Sequence, residues 1–600
     1  MKKTFANIYV AAALAMMGGS LQSCSLEEEN PGGFTLEDLA TQKDGFQELV
    51  NQCYFAMERY FYGTDGFMEL TEGDTDLWTY KANDTESREY FWFFGGASPN
   101  TTYTNNLWNG IYDGVGACNT VIANADKARA FLSEAELNEK IAEARFMRAI
   151  YYFNAVEQFG AVTMNLRQEF SANYAPERTA PLDIYRQLII PDLEYAAQWL
   201  DKGTDALCTT PTKKAALGFL AKACLQTREY GTDEFLQKGM DAAKTLITDC
   251  ENGGTTYGAF MYADYADVFK ESNNWENKEA LWKHRWYAGS NGHGSSNGNW
   301  KLNRNVEKFQ CILNKFGARE INQAQCISWD TGYQGVFMPT QHLLSLFVQA
   351  DGTLDPRFHN SFTTEWNANK AYVWQTADDA NLWGKDLSVV GTGISVGDKA
   401  IRFIMPQDAD YAAEKAATAT APYLVVDYKA VYNDAGRNVI MTDAAGNENQ
   451  FRYFYPSLNK HNSSRWYVAN ASKQRNGNLN ATFMMRMAEV YLIAAELDIY
   501  LNGGSAMTYI NKVRTRANAN PLSGTATVRT VLDERGRELC GEYNRFYDLK
   551  RTGMLKDATY LSETHPDLAH FFNPNFALRP ISTTFTATIT NGAEYQNPGY

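Results

Sequence analysis

"EKIAEARFMRAIYYFNAVEQFG", residues 139–160, decides the fold class. Ala142, Phe146, Ile150 and Phe153 recur three and four residues apart, the spacing that gathers side chains on one face of an α-helix. Gly160 then supplies a stop, because glycine readily takes the left-handed conformation that ends helices. The same pattern recurs on either side. "PTKKAALGFLAKACLQTREYG" (211–231) has Pro211 near its start, alanines inside and Gly231 at its end. Between the two, "LDIYRQLIIPDLEYAAQWL" (182–200) predicts a helix bent or begun again near Pro191.

Toward the C-terminus, "MMRMAEVYLIAAELDIYLNGG" (484–504), "SAMTYINKVRTRAN" (505–518) and "VRTVLDERGRELCGEYNRFYDLKRTG" (528–553) continue in the same manner. Small residues stand where helices must approach closely. Successive helix pairs of this kind are the pattern of tetratricopeptide-like repeats, although no strict period is visible. The stretch 251–475 reads differently. It is rich in Gly, Asn, Trp and Tyr, and turn signals such as "NDAGRN" and "DAAGNEN" separate short β-prone runs. It is expected to be an irregular insertion with a few short hairpins between two helical halves, and to carry the binding loops.

Charge and composition remove some functions. Lys and Arg total 55 against 70 Asp and Glu, a net charge of −15, which disfavours wrapping a phosphate backbone, so no nucleic-acid partner is expected. Aromatics reach 14%, more than a core of ordinary make-up needs, and flat rings also build stacking surfaces. The cysteines form no C-x-x-C pair, there is no H-E-x-x-H and no complete calcium loop, and the seven histidines do not cluster. No metal or cofactor is expected, and few or no disulfides.

The first residues give an address. Met1-Lys2-Lys3, an apolar run from Ile8 to Met17, and Gly18-Gly19 form a secretory signal peptide. "LQSC" (21–24) resembles a bacterial lipobox, which makes Cys24 the lipid-bearing first residue of the mature chain. Acyl chains contribute about 0.8 kcal/mol per buried CH₂, so several on one cysteine form a lasting anchor in outer-membrane lipid. Glu27, Glu28 and Glu29 follow at the membrane surface and resemble the acidic signal that sends Bacteroidetes lipoproteins to the cell exterior.

Taken together, "AEARFMRAIYYFNAVEQFGAV", "ERTAPLDIYRQLIIPDL", "PTKKAALGFLAKACL", "RMAEVYLIAAE", "INKVRTRA", "ERGRELCGEYNRFYDLKRTG" and the closing "LRPIS…YQNPGY" resemble the SusD/RagB family, in order and over nearly the whole mature chain. The resemblance implies a mainly α fold, in which tetratricopeptide-like helix pairs form a right-handed superhelical scaffold. It implies a non-catalytic surface lipoprotein that captures glycan and works as a lid over a SusC-like TonB-dependent transporter. The expected division is a signal peptide (1–23), an acidic tether (24–35) and a single domain (36–600). Within that domain the scaffold takes 36–250 and 476–560, the insertion 251–475, and an extended tail 561–600. A peptide-binding RagB-type protein and a surface glycoside hydrolase are the two alternatives.

Glu534, Glu538 and Glu542 lie on one helix face with Arg535, Arg537 and Arg545 interspersed, which reads as an internal ion-pair network rather than a catalytic acid pair. The G-x-S-x-G match at 294–298 sits in a polar tract without the strand and helix a nucleophile elbow needs. Sugar rings stack their C–H faces on aromatic rings while amides and carboxylates bind the hydroxyls. "GDTDLWTYKAND" (73–84) and "LWKHRWYAGSNGHGSSNGNW" (281–300) combine both chemistries, so the candidate ligand-binding residues are Asp74, Trp78, Tyr80, Trp286 and Trp300. Strand alternation would set Trp282 and Trp286 on one face. Cys24→Ala is expected to release the protein from the membrane. Replacing Glu27, Glu28 and Glu29 by Ala is expected to keep the lipid but lose surface display, as read by protease accessibility on intact cells; full accessibility of the triple variant would refute the acidic signal.

Overall fold

The structure is a computed structural model that describes residues 35–62, 64–80, 102–169, 171–203, 208–286, 337–368, 371–432, 438–462, 466–468 and 475–600. Its helices are α1 (Lys43–Tyr60), α2 (Asp65–Glu72), α3 (Thr102–Ala128), α4 (Glu134–Phe159), α5 (Ile190–Trp199), α6 (Lys213–Gln226), α7 (Leu236–Glu251), α8 (Met487–Tyr500), α9 (Ala506–Arg516), α10 (Val528–Leu539) and α11 (Arg545–Arg551), besides shorter turns.

Helix α4 is the axis of the scaffold. A capping box between Ser133 and Glu136 starts it, and Gly160 ends it with φ 75°. Every residue from Phe146 to Phe159 is buried, so its second half is covered on all sides, as only a central helix can be. Helix α3 packs on it closely enough that a Cβ at Gly114 would lie 2.4 Å from the Tyr151 ring. Helix α5 lies on the other side of α4. The bend expected near Pro191 is a π-helical segment, Tyr185–Ile189, feeding α5. Pro191 lacks an N–H and its ring crowds the carbonyl four residues back, that of Gln187 inside this segment, which widens the turn.

Helix α6 packs between α5 and α7, and α7 packs on α8 although the whole insertion separates them in sequence. The two helical halves are thus one continuous stack. The insertion leaves and returns through a stitched base: β2 (Ala280–His284) pairs antiparallel with β7 (Thr482–Arg486). Near the other half, β1 (Trp78–Tyr80) pairs antiparallel with β3 (Phe337–Pro339).

Two expectations change in detail. The insertion holds the few short hairpins expected, such as Tyr372–Val373 with Gly393–Ile394, but is not irregular apart from them. Strand β4 (Glu365–Asn367) pairs antiparallel with β5 (Lys399–Ile404), which pairs in parallel with β6 (Leu424–Asp427), the crossover between them carrying the helix Tyr411–Ala417. Its Phe337, Phe358 and Trp366 also belong to the same hydrophobic core as the helices. The tail 561–600 is not extended either. It folds into short helices, and Tyr595 inserts against Trp108 while its hydroxyl accepts from Thr163 N–H at 2.8 Å and shares a 2.7 Å hydrogen bond with Thr163 Oγ1. Among the described residues no helix is long and apolar enough to cross a membrane.

Glu534, Glu538 and Glu542 do form an internal ion-pair network, but not on one helix face. Helix α10 ends at Leu539, short of Glu542, and of the interspersed arginines only Arg537 joins them, Arg535 binding Asp548 and Arg545 binding Asp76. Buried Glu538 accepts from Arg486 Nη1 at 2.6 Å, from Arg357 Nη1 at 2.9 Å and from Arg516. Glu534 meets Arg357, Arg514 and Arg537 at 2.7–2.8 Å. Glu542 binds Arg486 at 2.7 Å and Lys460 at 2.9 Å, and Glu279 binds Arg486 and Arg516 at 3.0 and 2.8 Å. Burial raises the Glu538 carboxyl, but the Arg516, Arg486 and Arg357 guanidiniums more than offset this and hold it at about 2. Glu534 is held at about 2 in the same way by Arg357, Arg537 and Arg514.

Removing one member of such a cluster leaves a buried charge uncompensated, which costs about 3–5 kcal/mol. Arg486→Met is therefore expected to lower the denaturation midpoint strongly, and a midpoint within error of wild type would refute the network's structural role. Because the folded pKa values lie below the ordinary value of 4.5, the stabilisation is present above pH 4.5 and is lost as pH falls toward about 2.

Candidate functional site

The stretch from Glu72 to Tyr80 runs from the end of α2 into β1. Its polar groups point inward. The Glu72 carboxylate accepts from the Trp78 indole N–H at 2.8 Å and from the backbone N–H groups of Gly541 and Asn544 at 3.3 and 3.2 Å. Burial raises this carboxyl to about 7 despite those hydrogen bonds. Asp76 takes a two-pronged grip from Arg545, with Nε at 2.7 Å and Nη2 at 2.6 Å, and accepts from the Tyr560 hydroxyl at 2.6 Å. Burial opposes ionisation of Asp76, but Arg545 and His342 prevail and hold its carboxyl far below the usual range. Asp74 adopts φ 54°, a left-handed conformation that aspartate tolerates, and lies 3.7 Å from Arg579.

These contacts make the stretch a clasp between the first helices and the α10–α11 corner. Trp78 and Asp74 are therefore corrected from an open stacking platform to seam residues: Trp78 is 0% exposed and Asp74 1%. The sugar-binding chemistry read from this stretch is consumed internally. Tyr80 is half-buried and packs against the core at the end of β1.

Trp286 is also inward. It is buried, donates its indole N–H to Thr482 Oγ1 at 3.1 Å, and meets the His284 ring edge-on at 4.5 Å. Trp282 shares the inward direction and packs edge-on against Phe146 and Phe219. Trp374 is buried with its N–H on the Pro422 carbonyl. Trp300 lies outside the described residues, as do Cys24, Glu27, Glu28 and Glu29.

The structure brings together at one corner residues that the sequence reading left apart. His461 Nε2 lies 2.9 Å from the Gly541 carbonyl, and Lys460 donates to the Glu538 carbonyl at 2.8 Å. Burial depresses the His461 imidazole to about 4, so it is neutral at pH 7. Phe269, Asn274, Asn480 and Glu542 complete, with these two, the walls of a polar cavity of about 10 Å³, about the size needed to hold one water. Nothing in "SLNKHNSS" (457–464) marks this position by periodicity or motif.

The anchors of the candidate binding loops thus converge. The stretch 72–80 docks on Gly541, Asn544 and Arg545, the stretch 460–461 on Glu538 and Gly541, and β7 on Glu538 and Glu542. The corner is a rigid mount. Its Glu534 and Glu538 are held at about 2 by the surrounding arginines, while burial raises the neighbouring Glu72 to about 7.

Comparison with known proteins places this architecture. Residues 278–600 match the SusD family model, and residues 36–225 match a model described as starch-binding associating with outer membrane. The chain belongs to the SusD family. It is 24% identical to SusD-like protein P25 of Formosa agariphila over 489 residues, covering 79% of this chain and 74% of that protein. A laminarin binding SusD-like protein superposes with a TM-score of 0.62 at 20% identity, over 93% of this chain and 100% of the other. A crystal structure with xylogluco-oligosaccharide superposes with a TM-score of 0.55 at 19% identity, over 88% and 85%. At these identities the structural likeness shows the SusD fold: mainly helical, with tetratricopeptide-like pairs.

Truncating a buried tryptophan costs about 3–5 kcal/mol. Trp78→Ala is expected to lower the melting temperature clearly. An unchanged melting temperature with loss of ligand binding would instead assign the ring to an open site.

Proposed function

We propose that this SusD-family chain is a lipid-anchored, non-catalytic glycan-binding protein of the outer cell surface, which captures oligosaccharide or polysaccharide and passes it to a SusC-like TonB-dependent transporter. The observation that carries the reading is that family matches cover both the scaffold and the insertion, one of them described as starch-binding and outer-membrane-associating. The laminarin-binding and xylogluco-oligosaccharide-bound neighbours, built on the same fold, support saccharide as the ligand class. The lipobox-like "LQSC" and the acidic residues after it support a surface anchor. The locked state of Glu534, Glu538 and Glu542 supports binding over hydrolysis. A net charge of −15 suits docking on a basic rim of a partner.

In this reading Trp300, Tyr80 and the insertion loops supply the stacking and hydrogen bonds, while Trp78, Asp74 and Trp286 fix the mount beneath them. The test is a glycan array with the mature chain, followed by calorimetry on each hit and analysis of the incubated saccharide. Saturable binding with intact saccharide recovered is the expected result. Binding confined to peptides would establish the RagB-type alternative, and release of shorter sugars would establish a hydrolase. Extraction in mild detergent is expected to bring down a large β-barrel partner, and recovery of free monomer alone at every salt concentration would remove the transporter from the proposal.

A further inference from the structure

We propose a second saccharide site between the outer face of α7 and the first turn of the insertion, distinct from the loops beyond β2 and shaped for a neutral pyranose-containing oligosaccharide; it rests on the glycan-binding reading above. An open groove of about 540 Å³ lies between the last turns of α7 and the loop 252–257. That volume is within the range of small-ligand sites.

The loop that forms one wall is rigidly built. Buried Asp249 accepts from the backbone N–H groups of Thr256, Tyr257 and Ala259 at 2.7, 3.0 and 3.0 Å. Its own carbonyl accepts from Gly254 N–H at 2.8 Å, and Lys214 grips the Gly258 carbonyl at 3.2 Å. Gly253 and Gly254 turn the chain with φ 81° and 71°, a path that side-chain-bearing residues rarely follow.

Besides Asp249, the lining Asp241 accepts from Gln237 and Thr245 donates to the Asp241 carbonyl, whereas five other lining side chains are uncommitted. Those of Lys244, Thr248, Asn252, Thr255 and Tyr257 form no hydrogen bond or ion pair with another described residue. Tyr257 is half-buried, its ring packed against the core and thereby held in place. The groove therefore offers one fixed aromatic ring among an amide, hydroxyls and an ammonium. Such a set stacks on the C–H face of a sugar and bonds its hydroxyls. Lys244 is offset by Asp241 at the same wall, so the lining does not select for an anion. Because the backbone is already held, binding pays little ordering entropy there.

The test is calorimetry on the full mature chain with laminarihexaose, a xyloglucan heptasaccharide, maltoheptaose and any array hit, alongside melting curves. Wild type is expected to bind at two sites. Tyr257→Ala should weaken one of them roughly five- to tenfold, and Tyr257→Phe should keep it within about twofold because stacking survives. Thr255→Trp, at an exposed position, should fill the groove and remove the same site without changing the melting temperature. It decides the matter if Tyr257→Ala unfolds. Saccharide binding that is single-site and indifferent to both Tyr257→Ala and Thr255→Trp overturns the groove while leaving the glycan-binding reading intact. Absence of binding to every saccharide overturns both.

Discussion

The carboxylate of Glu538 faces three guanidiniums, and the architecture depends on that meeting. Arg486 comes from the strand that closes the insertion, Arg357 from the insertion's interior and Arg516 from the neighbouring scaffold helix. Desolvating each ion costs several kcal/mol, so such a cluster stabilises only when it is complete. The physical consequence is coupling. The insertion cannot shift against the helices without leaving a charge unpaired in a medium of low polarity. A region of irregular backbone is in this way held as firmly as a helix pair.

The Glu72–Trp78 clasp repeats the principle at smaller scale, with an instructive chemistry. Aromatic rings beside carboxylates suit a sugar, and they equally suit a seam where a polar stretch must cross the core. Burial decides between them. Asp76 meets Arg545 and Tyr560, both some 470–485 positions further along the chain, so its charge is spent before solvent reaches it. Rings that hold loops and rings that would stack on a sugar share one composition and differ in what covers them.

A rigid mount under irregular loops divides stability from recognition, which suits the function proposed above. Loops that are already anchored lose less freedom when a ligand binds, and loop changes alter the ligand without disturbing the core. The Asp249-clamped turn at the end of α7 follows the same logic at the very start of the insertion. There too a buried carboxylate fixes backbone while exposed side chains stay available.

The sequence by itself determined the class of fold. Helical periodicity at 139–160 and 211–231, with stops at Gly160 and Gly231, is local physics and appears in the structure with those glycines at φ 75° and 72°. That Glu534, Glu538 and Glu542 join an internal ion network was likewise legible, but of the arginines interspersed with them only Arg537 meets one of these acids. Arg535 turns to Asp548 and Arg545 to Asp76, and the other partners come from elsewhere in the chain. What only the tertiary structure decided is which partners arrive from elsewhere. The parallel pairing of β5 with β6, the folded tail and the inward burial of Trp78, Asp74 and Trp286 all depend on contacts with residues distant in sequence or on backbone register. A sequence displays the chemistry of a side chain, whereas exposure is a property of what packs against it. For Trp78 the contacts include the Glu72 carboxylate, Pro339 of β3 and His565 of the tail, and no pattern within residues 73–84 encodes them.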